Sequence, residues 1–243
     1  MSRERKIYNT LYKILDKLET LFFILVFLVG TYFTWDSVYV YYNSAAARVA
    51  AWKPVEASEE VLRDLSPDCI AWITIDNSPI DYPIMHYTDN IKYLNTDAYG
   101  DYNLSGAIFM DYRNTPDFSD SYSLVYGHHM SNHFLFGALD LWQDSEYFNN
   151  HLTGTLIVGN KTYDFNVFAF VHTDSNEAII FNPIGSNPIN YIRNNATNFV
   201  EPIDGNLVIL STCKSPTSTK RTIVCATIKL RNISDEDLIP DKA

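Results

Sequence analysis

Cysteine is scarce here, 3 in 243 residues, and glycine only a little less so at 9. Three cysteines cannot build a disulfide framework, and they leave at least one thiol over. No two of them stand in Cys-x-x-Cys spacing, and no His-Glu-x-x-His occurs, which removes the common zinc and dithiol signatures. The close histidine pairs are 128/129 and 129/133. We expect neither a metal site nor a cofactor. Bases are also short: 18 Lys+Arg stand against 29 Asp+Glu, a formal charge of −11. That argues against a nucleic-acid binder, which needs a basic face. Charged residues are 19% and hydrophobic residues 47%, too apolar for a disordered chain. No internal repeat or low-complexity tract is present. Aromatics are abundant, with 17 Tyr and 14 Phe, which suits pleated, half-buried strands.

The charge is unevenly spread. Residues 1–43 carry five bases and four acids, a net of +1, so the remainder carries −12. Thr20–Trp35 holds no charge, and Leu21–Gly30 (LFFILVFLVG) is almost wholly apolar. Residues 21–42 reach the roughly 20 residues that a membrane span needs if Asp36 lies at the outer interface. Tyr32, Trp35, Tyr39, Tyr41 and Tyr42 then form an aromatic belt. Arg3, Arg5, Lys6, Lys13 and Lys17 precede the segment, which places the N-terminus in the cytoplasm and the bulk of the chain outside. A cleaved signal peptide competes, with Ala45-Ala46-Ala47 as the cleavage site, but that site lies far beyond the apolar run. Residues 43–65 read as a stalk, with a break at Pro54 and a helix start at Ser58-Glu59-Glu60.

From residue 66 the pattern turns to strands: 70–75, 80–85, 107–111, 123–126, 155–158, 163–171, 207–213 and 222–230. Gly159-Asn160 marks a hairpin. Helical pieces are expected over 134–142, 145–151 and 187–196. The strands lack a βαβ rhythm, so the fold class is mostly β, a largely antiparallel barrel or sandwich.

Three short segments carry chemistry. Leu207–Cys213 (LVILSTC) ends a buried strand in a thiol, and period-two alternation puts Leu207, Ile209, Ser211 and Cys213 on one face. Cys213 is a candidate nucleophile or, equally, a core cysteine. Ser123–His129 (SLVYGHH) ends in Gly127-His128, where the glycine permits a sharp turn and the imidazole an acid/base role. Arg221 opens the last long strand, so it returns beside Cys213 if the two strands are antiparallel neighbours. A guanidinium there supports a thiolate or an oxyanion. Each of the three alone also has a bland reading as a core or surface residue.

Together, in the order His, Cys, Arg, they resemble a sortase. Tyr126–Met130 (YGHHM) followed by Phe134–Gly137, with Ser105–Asp111 (SGAIFMD) and Ala71–Met85, is similar to the class B sortases. The resemblance covers roughly residues 62–230. It implies an eight-stranded β-barrel with N-terminal helices and a helix inserted between the sixth and seventh strands, matched here to Pro188–Ala196. It implies a cysteine transpeptidase on the outer face of a Gram-positive cell membrane, with Cys213 as nucleophile, His128 as general acid/base and Arg221 as substrate and oxyanion partner. Ser211 and Thr212 are the implied substrate contacts. The implied partners are proteins bearing a sorting signal such as Asn-Pro-x-Thr-x, cleaved after Thr, and an amine acceptor on a peptidoglycan precursor. A pilin lysine is the alternative acceptor, and an inactive membrane-tethered binding module the alternative class. The organisation read from sequence is a basic cytoplasmic segment (1–20), a membrane helix (21–42), a stalk (43–65), a catalytic domain (66–233) and a tail (234–243). Cys69 and Cys225 read as core residues. A Cys213–Cys225 disulfide would kill the activity and is not expected.

Overall fold

The computed structural model describes residues 3–43, 65–130, 133–213 and 219–231. The stalk, the alanine triplet, Pro54 and the tail expected from sequence lie outside the described residues. The chain divides into two units, 1–43 and 44–243.

The first unit is one helix, α1 (Arg3–Asn43). It starts well before the apolar run because Leu11, Leu15 and Leu18 continue good helix formers back through the charged segment. Its apolar side chains are exposed, Phe22 at 61% and Phe27 at 72%. The hydroxyls of Thr20, Thr31, Thr34 and Ser37 each donate to the carbonyl four residues earlier, at 2.8 Å. Among the described residues no helix is long and apolar enough to cross a membrane. The charge-free run Thr20–Trp35 rises about 24 Å, against a hydrocarbon layer of about 30 Å. A span over 21–42 therefore requires Asp36 at its outer edge.

Among the described residues the second unit has nine strands: β1 (Cys69–Ile75), β2 (Asp81–Met85), β3 (Phe109–Met110), β4 (Tyr122–Gly127), β5 (Thr153–Val158), β6 (Lys161–Asp174), β7 (Ala196–Phe199), β8 (Asn206–Cys213) and β9 (Lys220–Leu230). Eight close a barrel in the order β5-β1-β2-β3-β4-β8-β9-β6, with β6 returning to β5. The ninth, β7, adds to the far half of β6 over Ala169–Val171. All pairings are antiparallel except β2–β3 and β4–β8. Val158 pairs with Lys161 across the expected Gly159-Asn160 turn, with Gly159 at φ +56°.

β8 and β9 are continuous apolar runs because both of their faces are covered. Val208, Leu210, Val224 and Ala226 belong to the barrel core with Trp142 and Phe136. Leu207, Ile209, Ile223 and Cys225 belong to a second layer under Ile180 and Ile192. Those two come from α3 (Ala178–Phe181) and α4 (Ile189–Asn195), which lie between β6 and β7 and so between the barrel's sixth and seventh strands. The expected helix over 134–142 is a 3-10 segment, Phe136–Gln143, followed by α2 (Ser145–Asn150), capped by the Asp144 carboxylate. Five of its eight residues are buried, so packing rather than helix propensity sets its shape.

Candidate active site

Strand register builds the site. β4 and β8 run parallel, with Tyr126 opposite Ser211 and Gly127 opposite Thr212. Their next residues, His128 and Cys213, therefore leave the sheet at the same rim. β9 runs antiparallel to β8 and places Arg221 directly opposite Cys213. Cross-strand Cα atoms of such a pair stand about 4.5–5.5 Å apart. The antiparallel neighbourhood expected for β8 and β9 is thus present, and the parallel β4–β8 pairing adds the histidine. By alternation, positions 126, 211 and 221 share the face of Ile209 and Ile223, which is the layer outside the barrel core.

A cavity of about 310 Å³ opens there, lined by Asn90, Leu94, Phe109, Tyr126, Gly127, His128, Ser211, Thr212 and Arg221. His128 is half-buried, and burial pulls its imidazole below the usual histidine range. Its backbone is fixed where Phe136 N–H donates to the His128 carbonyl at 3.2 Å. Ser211 and Thr212 are both 1% exposed. The Ser211 hydroxyl is buried and has no hydrogen-bond partner among the described residues. Such a group at a cavity wall is a ready contact for a ligand.

Gly127 is needed for space rather than for a turn. A Cβ there would lie 2.7 Å from two atoms of the Phe136 ring, and Gly127 is not among the residues at positive φ. Gly127→Ala should cost about 1–3 kcal/mol of stability by overpacking. A thermal melt within 1 °C of the unaltered protein would count against this account.

Asp111 and Asp120 are both taken up by partners other than His128. Asp120 accepts from Asn114 and Thr115. Asp111 is fully buried and accepts from Arg113, Asn90 and Tyr126. Burial pushes its carboxyl up, but the Arg113 guanidinium outweighs this and holds it below the usual carboxylate range. Arg113 also reaches the Phe181 carbonyl in α3, tying the cavity wall to the inserted segment.

Cys225 lies opposite Ile209, four residues down β8 from Cys213. That is about 13 Å along the strand, beyond the Cα separation a disulfide tolerates. Cys69 and Cys225 are free and buried. Among the described residues no group of three His, Cys, Asp or Glu could hold a metal ion.

Residues 73–229 match the family described as Sortase domain. The chain belongs to the sortase family. Its class is B: a Streptococcus pyogenes class B sortase involved in pilus biogenesis superposes with a TM-score of 0.63 at 34% identity, covering 70% of this chain and 97% of that one. Clostridium perfringens sortase B superposes at 0.64 with 26% identity, covering 71% and 100%. Sortase B of Listeria monocytogenes is 32% identical over 138 residues, which is 57% of this chain and 56% of that protein. Sortase B of Staphylococcus aureus is 25% identical over 191 residues, 70% of this chain and 73% of that one. The sortase chain thus spans little more than half of the Listeria relative's length.

Asn90 and Leu94 line the sortase cavity without having been singled out from sequence, and Phe109 lines it from within the SGAIFMD segment. Asn90 and Leu94 sit in the irregular stretch between β2 and β3, where no periodicity or motif marks them. Tyr126 lay inside the quoted YGHHM segment, but its role as cavity wall depends on the β4–β8 register.

Proposed function

We propose that this sortase is a membrane-attached cysteine transpeptidase. Cys213 is the nucleophile, His128 the general acid/base, Arg221 the oxyanion and substrate partner, and Ser211 and Thr212 substrate contacts. The register that brings the ends of β4 and β8 and the start of β9 to one rim carries the reading. His128 takes the thiol proton, and the sulfur attacks the carbonyl carbon of the Thr in the sorting signal. The negative charge on the carbonyl oxygen meets the Arg221 guanidinium. Collapse breaks the C–N bond, the leaving amine takes the proton from His128, and the acyl group stays on sulfur. An acceptor amine then attacks the thioester, gives its proton to His128 and releases Cys213. The substrate class is a surface protein with an Asn-Pro-x-Thr-x type signal, and the acceptor is an amine of a peptidoglycan precursor.

A pilin lysine is the second reading for the acceptor. It is favoured by the 34% identity with the sortase involved in pilus biogenesis. Helix α1 supplies the attachment, with the N-terminus in the cytoplasm and the catalytic domain outside. The back-bonded hydroxyls of Thr20, Thr31, Thr34 and Ser37 support this, since polar groups in lipid must be satisfied within the segment. The organisation then follows the residue ranges read from sequence.

The test is mass spectrometry of the full chain in detergent, incubated with a library of sorting peptides. The expected product is an acyl adduct on Cys213 that disappears when an amine is added. An intact protein that binds the peptides without ever forming the adduct would instead be a binding module. The pH profile gives a second check. Burial disfavours imidazolium at His128, so the acidic limb of kcat/KM should have its midpoint below about 6.5. A limb above 7 would remove His128 as the group that titrates there.

A further inference from the structure

Asp140 lies on the 3-10 segment Phe136–Gln143, whose Phe136, Ala138, Leu139 and Trp142 are buried in the barrel core. The segment is therefore fixed, and Asp140 is held at its edge. One carboxylate oxygen is 2.9 Å from His129 Nε2. The other accepts from the Thr222 hydroxyl at 3.1 Å. His129 is the residue after His128, and Thr222 is the residue after Arg221. Thr222 is fully buried and stands opposite Thr212 in the β8–β9 ladder. Its oxygen is also 3.4 Å from His172 Nδ1 on β6. A single side chain thus ties the end of β4 to the start of β9, one residue beyond each of the two groups proposed to act on the substrate.

We infer that Asp140 is a positioning residue for the acyl transfer, holding the chain after His128 and the chain after Arg221 in fixed register at the rim where Cys213 ends β8. The inference rests on the proposed function. Adduct formation by the unaltered chain tests that function, and the variants below test the strap. Without it, what holds His129 among the described residues is its isolated backbone pairing with Leu135, and Thr222 loses its link to the core segment. A shift of 1 Å at a reacting group is enough to cost about 10²-fold in rate.

The experiment compares Asp140→Ala, Asp140→Asn and Thr222→Val in the full chain, each first checked for a cooperative melt. Asn keeps an oxygen for Thr222 and offers an N–H to His129, so it should keep kcat within about threefold of the unaltered protein. Ala should lower kcat about tenfold or more while KM changes less than about threefold. Thr222→Val cuts one arm only and should lower kcat by several-fold; it provides the reading if the Ala variant fails to fold. The second readout needs no sorting peptide: the pH dependence of Cys213 alkylation by iodoacetamide. Loss of a negative charge at Asp140 would by itself ease ionisation of a nearby thiol. Displacement of Arg221 does the opposite; Asp140→Asn loses the same charge but keeps the ties, so the alkylation midpoint of Asp140→Ala should lie above that of Asp140→Asn. A midpoint in Asp140→Ala equal to or below that in Asp140→Asn, a kcat unchanged in Asp140→Ala and Thr222→Val, or an Asn variant as poor as Ala would each overturn the inference.

Discussion

Cys213→Ala should abolish both transfer and hydrolysis of a sorting peptide, a loss on the order of 10⁶-fold, the scale seen when a covalent catalyst loses its nucleophile. Neither of the other thiols can substitute. Burial pushes the Cys69 thiol up to about 12, against a smaller opposing effect of the Ala71 backbone. Burial likewise drives Cys225 far above the ordinary thiol range, and this residue has no exposed surface beneath α3 and α4. At neutral pH both stay protonated and shielded, and only the thiolate attacks. A small methanethiosulfonate reagent should therefore modify the folded protein once, at Cys213, and leave Cys213→Ala unmodified. Peptide mapping reads both results. Labelling of Cys69 or Cys225 in the folded protein, with Cys213 untouched, would remove the basis of the enzyme reading. The variant should melt normally, because Cys213 is the last residue of β8 and the change removes a single sulfur atom.

Much of this was legible in the residues, for reasons that differ from element to element. β1, β2, β4, β8 and β9 were found to within two residues because each is an apolar or alternating run bounded by turn residues. β6 was read as ending near Val171 but continues to Asp174, since His172, Thr173 and Asp174 pair with Thr222, Arg221 and Lys220 at the site's rim. A polar triplet carries no strand signal of its own and is held by its neighbour. β7 has no counterpart in the sequence pattern, where the expected helix stops at its first residue, Ala196: Ala-Thr-Asn-Phe has no period, and only the far half of β6 makes it a strand. β3 shrank from an expected five residues to two. Ala107 is buried there by packing with Tyr93 and Phe109, and Ile108 by the barrel core, outside the two-residue strand. The direction of β4 relative to β8 was not legible at all, because strand direction leaves no trace in a local pattern. That direction is nonetheless what brings His128 to Cys213. The motif gave the three residues, and the register explains why they stand together. Asn90 and Leu94, by contrast, reach the cavity from a segment whose path is set by tertiary contacts such as the Asn90–Asp111 hydrogen bond.

Arg221→Ala should lower kcat by about 10²–10³-fold, the cost of removing one oxyanion donor, or about 2.7–4 kcal/mol of transition-state stabilisation. The argument is geometric. Arg221 faces Cys213 across the β8–β9 ladder and lines the same cavity as His128 and Ser211. Its backbone is held from the other side as well, by pairing with Thr173 of β6. The side chain therefore starts from a rigid strand between two neighbours. Its guanidinium also donates to the Lys220 carbonyl at 3.2 Å. A charge so placed meets the carbonyl oxygen of a thioester-forming substrate most strongly when that oxygen becomes negative, so kcat should fall more than KM rises. Arg221→Lys separates charge from shape. Lysine keeps the positive charge but lacks the planar fork of donors, so it should recover only part of the loss. Steady-state kinetics on a sorting peptide, with adduct formation followed by mass spectrometry, reads both variants. Full activity in Arg221→Lys would leave charge alone as the requirement, and near-normal turnover in Arg221→Ala would mean that the oxyanion is held by backbone N–H groups at the end of β8 instead.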